Sequence, residues 1–197
     1  MNKPLLSILI PSKTEPNILK MLMALEEEFP EAQIITANDR YGKGKGWAVR
    51  TALQMAQGEF IIFIDGDMDI HPRMIHRLLP FLFDYDIVLG KKQIRGHFSR
   101  RLLTFFSRIY INILFGMNYD TQTGIKAFRK DALEHWFTDG FMFDLEIISR
   151  AMQRGKTIIE VPVEVSIERK MGLRSVLLCL WESLKILGIL FERRNAN

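Results

Sequence analysis

The chain has 197 residues, 48% hydrophobic and 25% charged, with 13 Gly, 7 Pro and one Cys. This excludes a mainly disordered, collagen-like or disulfide-stapled chain and suits a single domain, and Cys179, unable to form an internal bridge, is compatible with a reducing compartment. The 27 Lys and Arg against 23 Asp and Glu give a net charge of +4, compatible with phosphate-bearing ligands or anionic lipid and too small to imply nucleic acid.

The run Pro4 to Ile10 is short, apolar and ended by Pro11, which predicts a strand and is too short for a signal-peptide core. Asn17 to Phe29 has helical periodicity, and Ala32 to Ala37 reads as a second strand. The glycine-rich turn Tyr41 to Gly46 opens a helix predicted over Trp47–Gln57, with Gly58 as its stop signal. Glu59 to Asp65 is almost continuously apolar, as a central parallel strand covered on both faces should be. It stops at Asp65-Gly66-Asp67-Met68-Asp69. A helix from Pro72 to about Phe83 and a strand Asp86 to Gly90 follow. Strands alternating with helices predict an α/β fold, a mostly parallel central sheet with helices on both faces. In such sheets ligands bind beyond the carboxyl ends of the strands, where both the glycine-rich turn and the acidic cluster fall.

After Gly90 the character changes. Residues 91–101 form a basic loop, 102–115 are apolar and aromatic, and Asp120 to Arg129 reads as a salt-bridged turn. Val176 to Phe191 is apolar apart from Glu182, Ser183, Lys185 and Gly188. As a helix it rises about 24 Å, short of the roughly 30 Å hydrocarbon core, and carries two charges, so it is not a spanning segment. Ser175, Glu182, Lys185 and Glu192 share a narrow stripe opposite a wide apolar face. Two placements fit it: a helix lying in a membrane interface, or one packed on its own domain or a second subunit.

Three aspartates within five residues, Asp65, Asp67 and Asp69, are the sharpest chemical feature. Strand alternation, if it persists, turns all three to one side. Like charges about 4 Å apart repel by roughly 1 kcal/mol in water and about 4 kcal/mol at a partly buried site, so a cation should offset them. Hard oxygen ligands without a His or Cys cluster favour Mg²⁺ or Mn²⁺; the ordinary alternative is a solvated turn whose aspartate caps the next helix. His71, alone before a proline, reads as structural. Gly42-Lys43-Gly44-Lys45-Gly46 lets backbone approach an anion at a helix start, or is simply a flexible basic turn. It has neither the P-loop ending nor the dinucleotide-binding spacing.

Several further segments carry a pattern. Pro11 and Glu15 make a Pro-x-x-x-Glu run after the first strand, and Asn38-Asp39 follows the second. Gly44-Lys45-Gly46 precedes a helix, and Asp65 to Pro72 approximates Asp-Ala-Asp-Leu-Gln-x-Pro. Gly90-Lys91-Lys92, Asp120 to Arg129, Glu160-Val161-Pro162 and Arg169 to Gly172 then occur in order. In this order and spacing the segments resemble the family 2, GT-A-type glycosyltransferases, specifically the dolichol-phosphate mannose synthase-like group, over roughly residues 5 to 176. Departures are Lys13 before the glutamate, Asp69 in place of Gln, Arg174-Ser175 for a closing Ser-Lys, no C-terminal spanning helices, and a short path from Asp39 to Gly44 where the family has a further helix and strand.

The resemblance implies a GT-A fold over 1–172 followed by an amphipathic helix over 173–197. It implies an inverting, metal-dependent transferase moving a sugar from GDP-mannose or a UDP-hexose to a dolichyl or undecaprenyl phosphate. Pro11, Lys13, Glu15, Ala37, Asp39, Lys45, Asp65, Gly66, Asp67, Lys92, Arg169 and Arg174 are then expected at the nucleotide sugar, and Asp65, Asp67 and Asp69 at Mg²⁺ or Mn²⁺. Asp120, with Asp67, is expected at the reacting centre, orienting acceptor or sugar. Arg100, Arg101, Lys126 and Arg129 are expected to receive the acceptor phosphate, whose oxygen is already anionic near neutral pH and needs no strong base. The expected partners are a nucleotide sugar, a lipid phosphate, the cytoplasmic face of a membrane contacted peripherally, and a second copy or a membrane protein, with no nucleic acid. Competing expectations are a soluble saccharide or protein acceptor, and a non-catalytic nucleotide-binding or membrane-scaffold module.

Overall fold

The structure, a computed structural model, describes residues 4–12, 15–39, 41–92, 109–121, 123–166 and 173–194. Six strands form one sheet: β1 (Leu6–Ser12), β2 (Gln33–Asn38), β3 (Phe60–Ile64), β4 (Ile87–Lys92), β5 (Ile125–Arg129) and β6 (Ile158–Val163). Their spatial order is β2-β1-β3-β5-β4-β6. Pairing is parallel between β1 and β2, β1 and β3, and β4 and β6. Only β5 runs against its neighbours β3 and β4. The expected mostly parallel sheet is present, and β5 is the strand that the reading of 120–129 as a turn missed.

Helices cover both faces: α1 (Ile18–Glu28), α2 (Lys45–Leu53), α3 (Ile75–Leu78), α4 (109–115), α5 (Phe143–Gln153) and α6 (Leu173–Arg194). The helix α2 begins two residues earlier than predicted and ends four residues earlier. The stretch Pro72–Phe83 is one short α-turn between two 3₁₀ pieces. Pro80 explains the break, because it has no N–H to continue the ladder. No helix among the described residues is long and apolar enough to cross a membrane.

Alternation along the strands divides the core in two. On one face Ile8, Ile10, Ile62, Ile64, Val88, Ile125 and Ala127 pack with Met21 and Leu25 of α1 and with Ile75 and Leu78 of α3. On the other face Leu9, Ile61, Phe63, Leu89 and Phe128 pack with α2, α5, Trp136 and the α6 residues Ile186 and Leu190. Tyr110 of α4 is 2.9 Å from the buried Ser183 hydroxyl of α6.

Where β4 starts beside β6, Asp86 accepts from the Thr157 N–H at 2.8 Å, its hydroxyl at 2.9 Å and Lys156 Nζ at 3.0 Å. Burial raises the pKa of this carboxyl, but the bonds from Thr157 and Lys156 outweigh it and hold it below the ordinary value. A depressed folded-state pKa stabilises above the unfolded value and loses that contribution as pH falls through the folded one. Asp86→Asn is therefore expected to cost about 1 kcal/mol at pH 7. The gap to wild type should close below about pH 3.8, as urea unfolding at both pH values would measure.

Candidate active site

The carboxyl ends of β1, β2, β3, β4 and β6 and the start of the antiparallel β5 share one edge of the sheet. Asp65 is the first residue beyond β3, and its N–H donates to the Gly124 carbonyl at 2.9 Å. Lys45, the first residue of α2, places Nζ 2.7 Å from Asp65 Oδ1. The two side chains are 23% and 36% exposed, so water screens the pair only in part. Burial lowers the pKa of Lys45, but the carboxylates of Asp65, Asp144 and Asp67 prevail and hold it above the usual lysine value. A permanent cation thus stands among three carboxylates.

Strand geometry does not persist past Ile64, and Met68 turns the chain with φ 64°. The Asp67 carbonyl accepts from Asn17 Nδ2 at 3.0 Å, and Asp67 Oδ1 accepts from the Asp69 N–H at 3.1 Å. The Asp69 carbonyl accepts from Ser166 N–H at 2.7 Å. Among the described residues no group of three or more His, Cys, Asp or Glu could hold a metal ion. The alternation expected to turn all three carboxylates to one side is thereby corrected: a tight turn, not a strand, carries these residues. What remains fits the looser mode of Mg²⁺ or Mn²⁺, in which one or two carboxylates, here Asp65 and Asp67, combine with substrate phosphates and water. His71 is structural, its Nδ1 accepting from Arg73 N–H at 3.2 Å.

The glycine-rich turn is filled from within the chain. Asp39 takes the N–H groups of Lys43 and Gly44 on its two carboxylate oxygens, at 2.7 and 3.0 Å. The first amides of α2 are occupied too, Gly46 N–H by the Gly140 carbonyl at 3.1 Å and Trp47 N–H by the Asp139 carbonyl at 3.2 Å. A Cβ at Gly44 would overlap the Asp139 carbonyl, and one at Gly46 the Thr138 carbonyl. Close docking of the 138–140 loop accounts for these two glycines, so an anion-binding role is not needed to explain them.

A second cluster stands at the ends of β4 and β6. Glu160 accepts from Lys91 Nζ and from the Asp120 N–H, both at 2.6 Å, while Lys92 N–H reaches Asp120 Oδ2 at 3.5 Å. The chain from Asp120 to Gly124 limits their Cα separation to about 14 Å, so this cluster and the Asp65–Lys45 pair share one rim. Glu15 lies against Gly66, its Cγ 3.7 Å from where a Cβ would stand. Pro11 and Ala37 are register partners with buried side chains, so only their backbone can face a ligand.

Two expected acceptor residues are elsewhere. Lys126 is buried, its Nζ 2.6 Å from Asp144 and 2.7 Å from the Thr123 carbonyl. Alternation turns it into the core between α5 and the sheet, away from any acceptor. Arg129 pairs in register with Phe60 at the opposite end of β3, about 17 Å from Asp65 by strand rise. There it meets the Leu82 carbonyl, Glu59 and Asp131. Both assignments are withdrawn. Lys13, Arg100, Arg101 and Arg169, and the side chain of Arg174, lie outside the described residues.

The sequence reading missed Asp144 and the 137–140 loop, and named Glu160 only within a motif segment, with no role. Fully buried Glu146 holds that loop, accepting from Phe137 N–H at 3.1 Å, Thr138 N–H at 2.8 Å and Arg150 Nε at 2.8 Å. The signal was available in Phe143-Asp144-Leu145-Glu146, where two acids open an otherwise apolar helix. Lys126→Met should strand Asp144 and lower stability by about 3–5 kcal/mol, while Arg129→Ala should change it by less than about 1 kcal/mol, both read from urea midpoints.

The chain can now be set beside known proteins. It is 25% identical over 158 residues to an undecaprenyl-phosphate mannosyltransferase of Micrococcus luteus, covering 74% of this chain and 65% of that protein. It is 24% identical over 145 residues to a polyprenol monophosphomannose synthase of Mycolicibacterium smegmatis, covering 67% and 52%. The chain therefore spans less than two thirds of the length of these relatives. A glucosyl-3-phosphoglycerate synthase of Mycobacterium tuberculosis, crystallised with Mn²⁺, UDP-glucose and phosphoglyceric acid, superposes with TM-score 0.69 at 16% identity, covering 93% of this chain and 79% of that one. The fold is thus of the GT-A type. Residues 8–137 match glycosyl transferase family 2, and with most of the chain inside that match, the protein belongs to this family of glycosyltransferases.

Proposed function

We propose that the protein transfers a hexose from a nucleotide diphosphosugar to a polyprenyl phosphate with inversion at the anomeric carbon. The observation that carries this reading is the Lys45–Asp65 pair, with Asp67 beside it and Asp120 on the same rim. A departing nucleoside diphosphate develops negative charge, which preorganised cations stabilise in a partly buried site. Lys45 supplies one such cation on α2, and Lys92 is placed at the end of β4. Arg169 and Arg174 are assigned to the same role by resemblance, as are Arg100 and Arg101 to the acceptor phosphate. Asp65 and Asp67 would hold Mg²⁺ or Mn²⁺ together with donor phosphates, and the ion would supply further charge neutralisation at the diphosphate. Asp39, Glu15 and the backbone at Pro11, Ala37 and Gly66 form the proposed nucleotide side of the site.

Asp120 orients the acceptor or the bound sugar. In the proposed reaction an acceptor phosphate oxygen forms the new bond to the anomeric carbon as the bond to the diphosphate oxygen breaks. That oxygen is already ionised near neutral pH, so no residue has to remove a proton. The acceptor class follows from the names of the two relatives and from α6. Leu177, Leu178, Trp181 and Leu184 of this helix are exposed, an apolar surface suited to a membrane interface. In this division residues 1–172 form the transferase domain and 173–197 an arm that rests peripherally on the cytoplasmic face of a membrane. The Mycobacterium tuberculosis synthase, crystallised with phosphoglyceric acid, favours a second reading with a small phosphorylated acceptor.

Purified protein should be stabilised by a GDP- or UDP-sugar with Mn²⁺, by about 2.7 kcal/mol at a hundredfold excess over Kd. Transfer of radiolabelled sugar to undecaprenyl phosphate in detergent should fall by about a hundredfold or more in Asp67→Ala. Absence of any nucleotide-sugar shift overturns the donor assignment. Turnover onto phosphoglyceric acid without lipid selects the second reading.

A further inference from the structure

The C-terminal helix does more than cover the sheet. Sequence patterning puts Glu182 on a polar stripe with Lys185, but the structure turns it inward. Its carboxylate accepts the Met142 N–H at 2.8 Å on Oε2 and lies where any Cβ on Gly140 would stand. Met142 is the N-cap residue of α5 and has no side-chain cap of its own. An acid from another helix therefore satisfies one of the donors that every helix start leaves open, at the end where the dipole favours negative charge. The thiol of Cys179, one turn earlier, is pushed up by burial and then by Glu182.

The loop so clasped leads to the site. Its other side is held by Glu146, and between the two acids the Asp139 and Gly140 carbonyls receive the first amides of α2. The Trp136 indole donates to the Gly46 carbonyl at 3.1 Å, and Arg50 of α2 bonds to the Trp136 carbonyl and to Asp139. Lys45, whose Nζ reaches Asp65, stands at that same helix start. Every step from Glu182 to Asp65 is a direct contact.

We infer that Glu182 is a positioning residue for the donor site: from α6 it fixes the 138–142 loop, the loop fixes the start of α2, and α2 aims Lys45 at Asp65. This rests on the proposed donor-site reading and adds a part of the chain outside the family 2 match to the machinery. Glu182 touches no reacting group. It acts by keeping one loop in one place, which its amide analogue can also do because a carboxamide oxygen still accepts the Met142 N–H.

The test uses the full chain with Glu182→Leu and Glu182→Gln, hydrogen exchange followed by mass spectrometry, and affinity for UDP and GDP in the presence of Mn²⁺. Glu182→Leu is expected to speed exchange of the Gly46 and Trp47 amides about tenfold while β3 stays protected. It is also expected to weaken binding of whichever nucleotide the wild type takes by about tenfold. Glu182→Gln should stay within about twofold of wild type on both readouts. Unchanged exchange at the start of α2, or looser exchange with unchanged nucleotide affinity, overturns the positioning role. If Glu182→Leu does not fold, Gly140→Ala pushes the carboxylate off from the loop side and is judged by the same two results. A wild-type protein that binds neither nucleotide overturns the donor-site reading, and is told apart from failure of the anchor because exchange is measured without ligand.

Discussion

A lysine on the first turn of one helix meets an aspartate at the end of a central strand, and the surrounding architecture keeps those two groups together. Lys45 is partly desolvated, which opposes its charge, and it stays charged because Asp65, Asp144 and Asp67 surround it. Asp65 in turn is fixed by the Gly124 carbonyl, so the order of the sheet, with β5 beside β3, places the carboxylate. Lys45 is fixed by the start of α2, whose Gly46 and Trp47 amides end on the loop at Asp139 and Gly140, far along the chain. A local pair thus depends on long-range topology at both of its ends.

The two faces of the sheet differ in kind. The face under α1 and α3 is an apolar core. The face under α2, α5 and α6 also holds Lys126 against Asp144 and Arg150 against Glu146, all buried. Buried ion pairs rarely stabilise more than apolar residues of the same volume would, whereas losing one partner is costly. Their presence is better explained by geometry than by stability: Asp144 contributes to the field at Lys45, and Glu146 fixes the loop that α2 rests on. The polar core therefore lies behind the edge of the sheet that carries Lys45 and Asp65.

Much of this was legible in the sequence. Four strands and the helices around them announced themselves through apolar runs and periodicity, because burial on a sheet with two covered faces leaves little choice of residue. The strand β5 was hidden because Ile125-Lys126-Ala127-Phe128-Arg129 looks like a charged turn. Its lysine points inward to an aspartate 18 residues later, a pairing no local pattern reveals. Arg129 failed as a phosphate ligand for a related reason: in an antiparallel strand it lies at the far end from Asp65. Asp65, Asp67 and Asp69 were found by type and place, but their mutual geometry depended on where the strand stopped, and it stops at Ile64, before the first of them, with Met68 turning the chain between the other two. Glu182 was visible as a charge in an apolar helix, yet a helical wheel cannot say which stripe finds a partner.

The helix α6 has two apolar sides, one closed on the domain through Ile186 and Leu190 and one open through Leu177, Trp181 and Leu184. Lys185 lies 3.5 Å from the Trp181 ring centroid, so the open side pairs a cation with an aromatic, the combination that settles at a lipid headgroup boundary. Trp181 and Glu182 are neighbours in sequence, about 100° apart around the helix, so one is exposed while the other reaches Met142. An exposed apolar surface is in this way one residue from the carboxylate that accepts the Met142 N–H. A rigid helix turns that adjacency into a geometric constraint: α6 cannot rotate about its axis without moving Glu182 away from the Met142 amide, beside the loop on which the start of α2 rests.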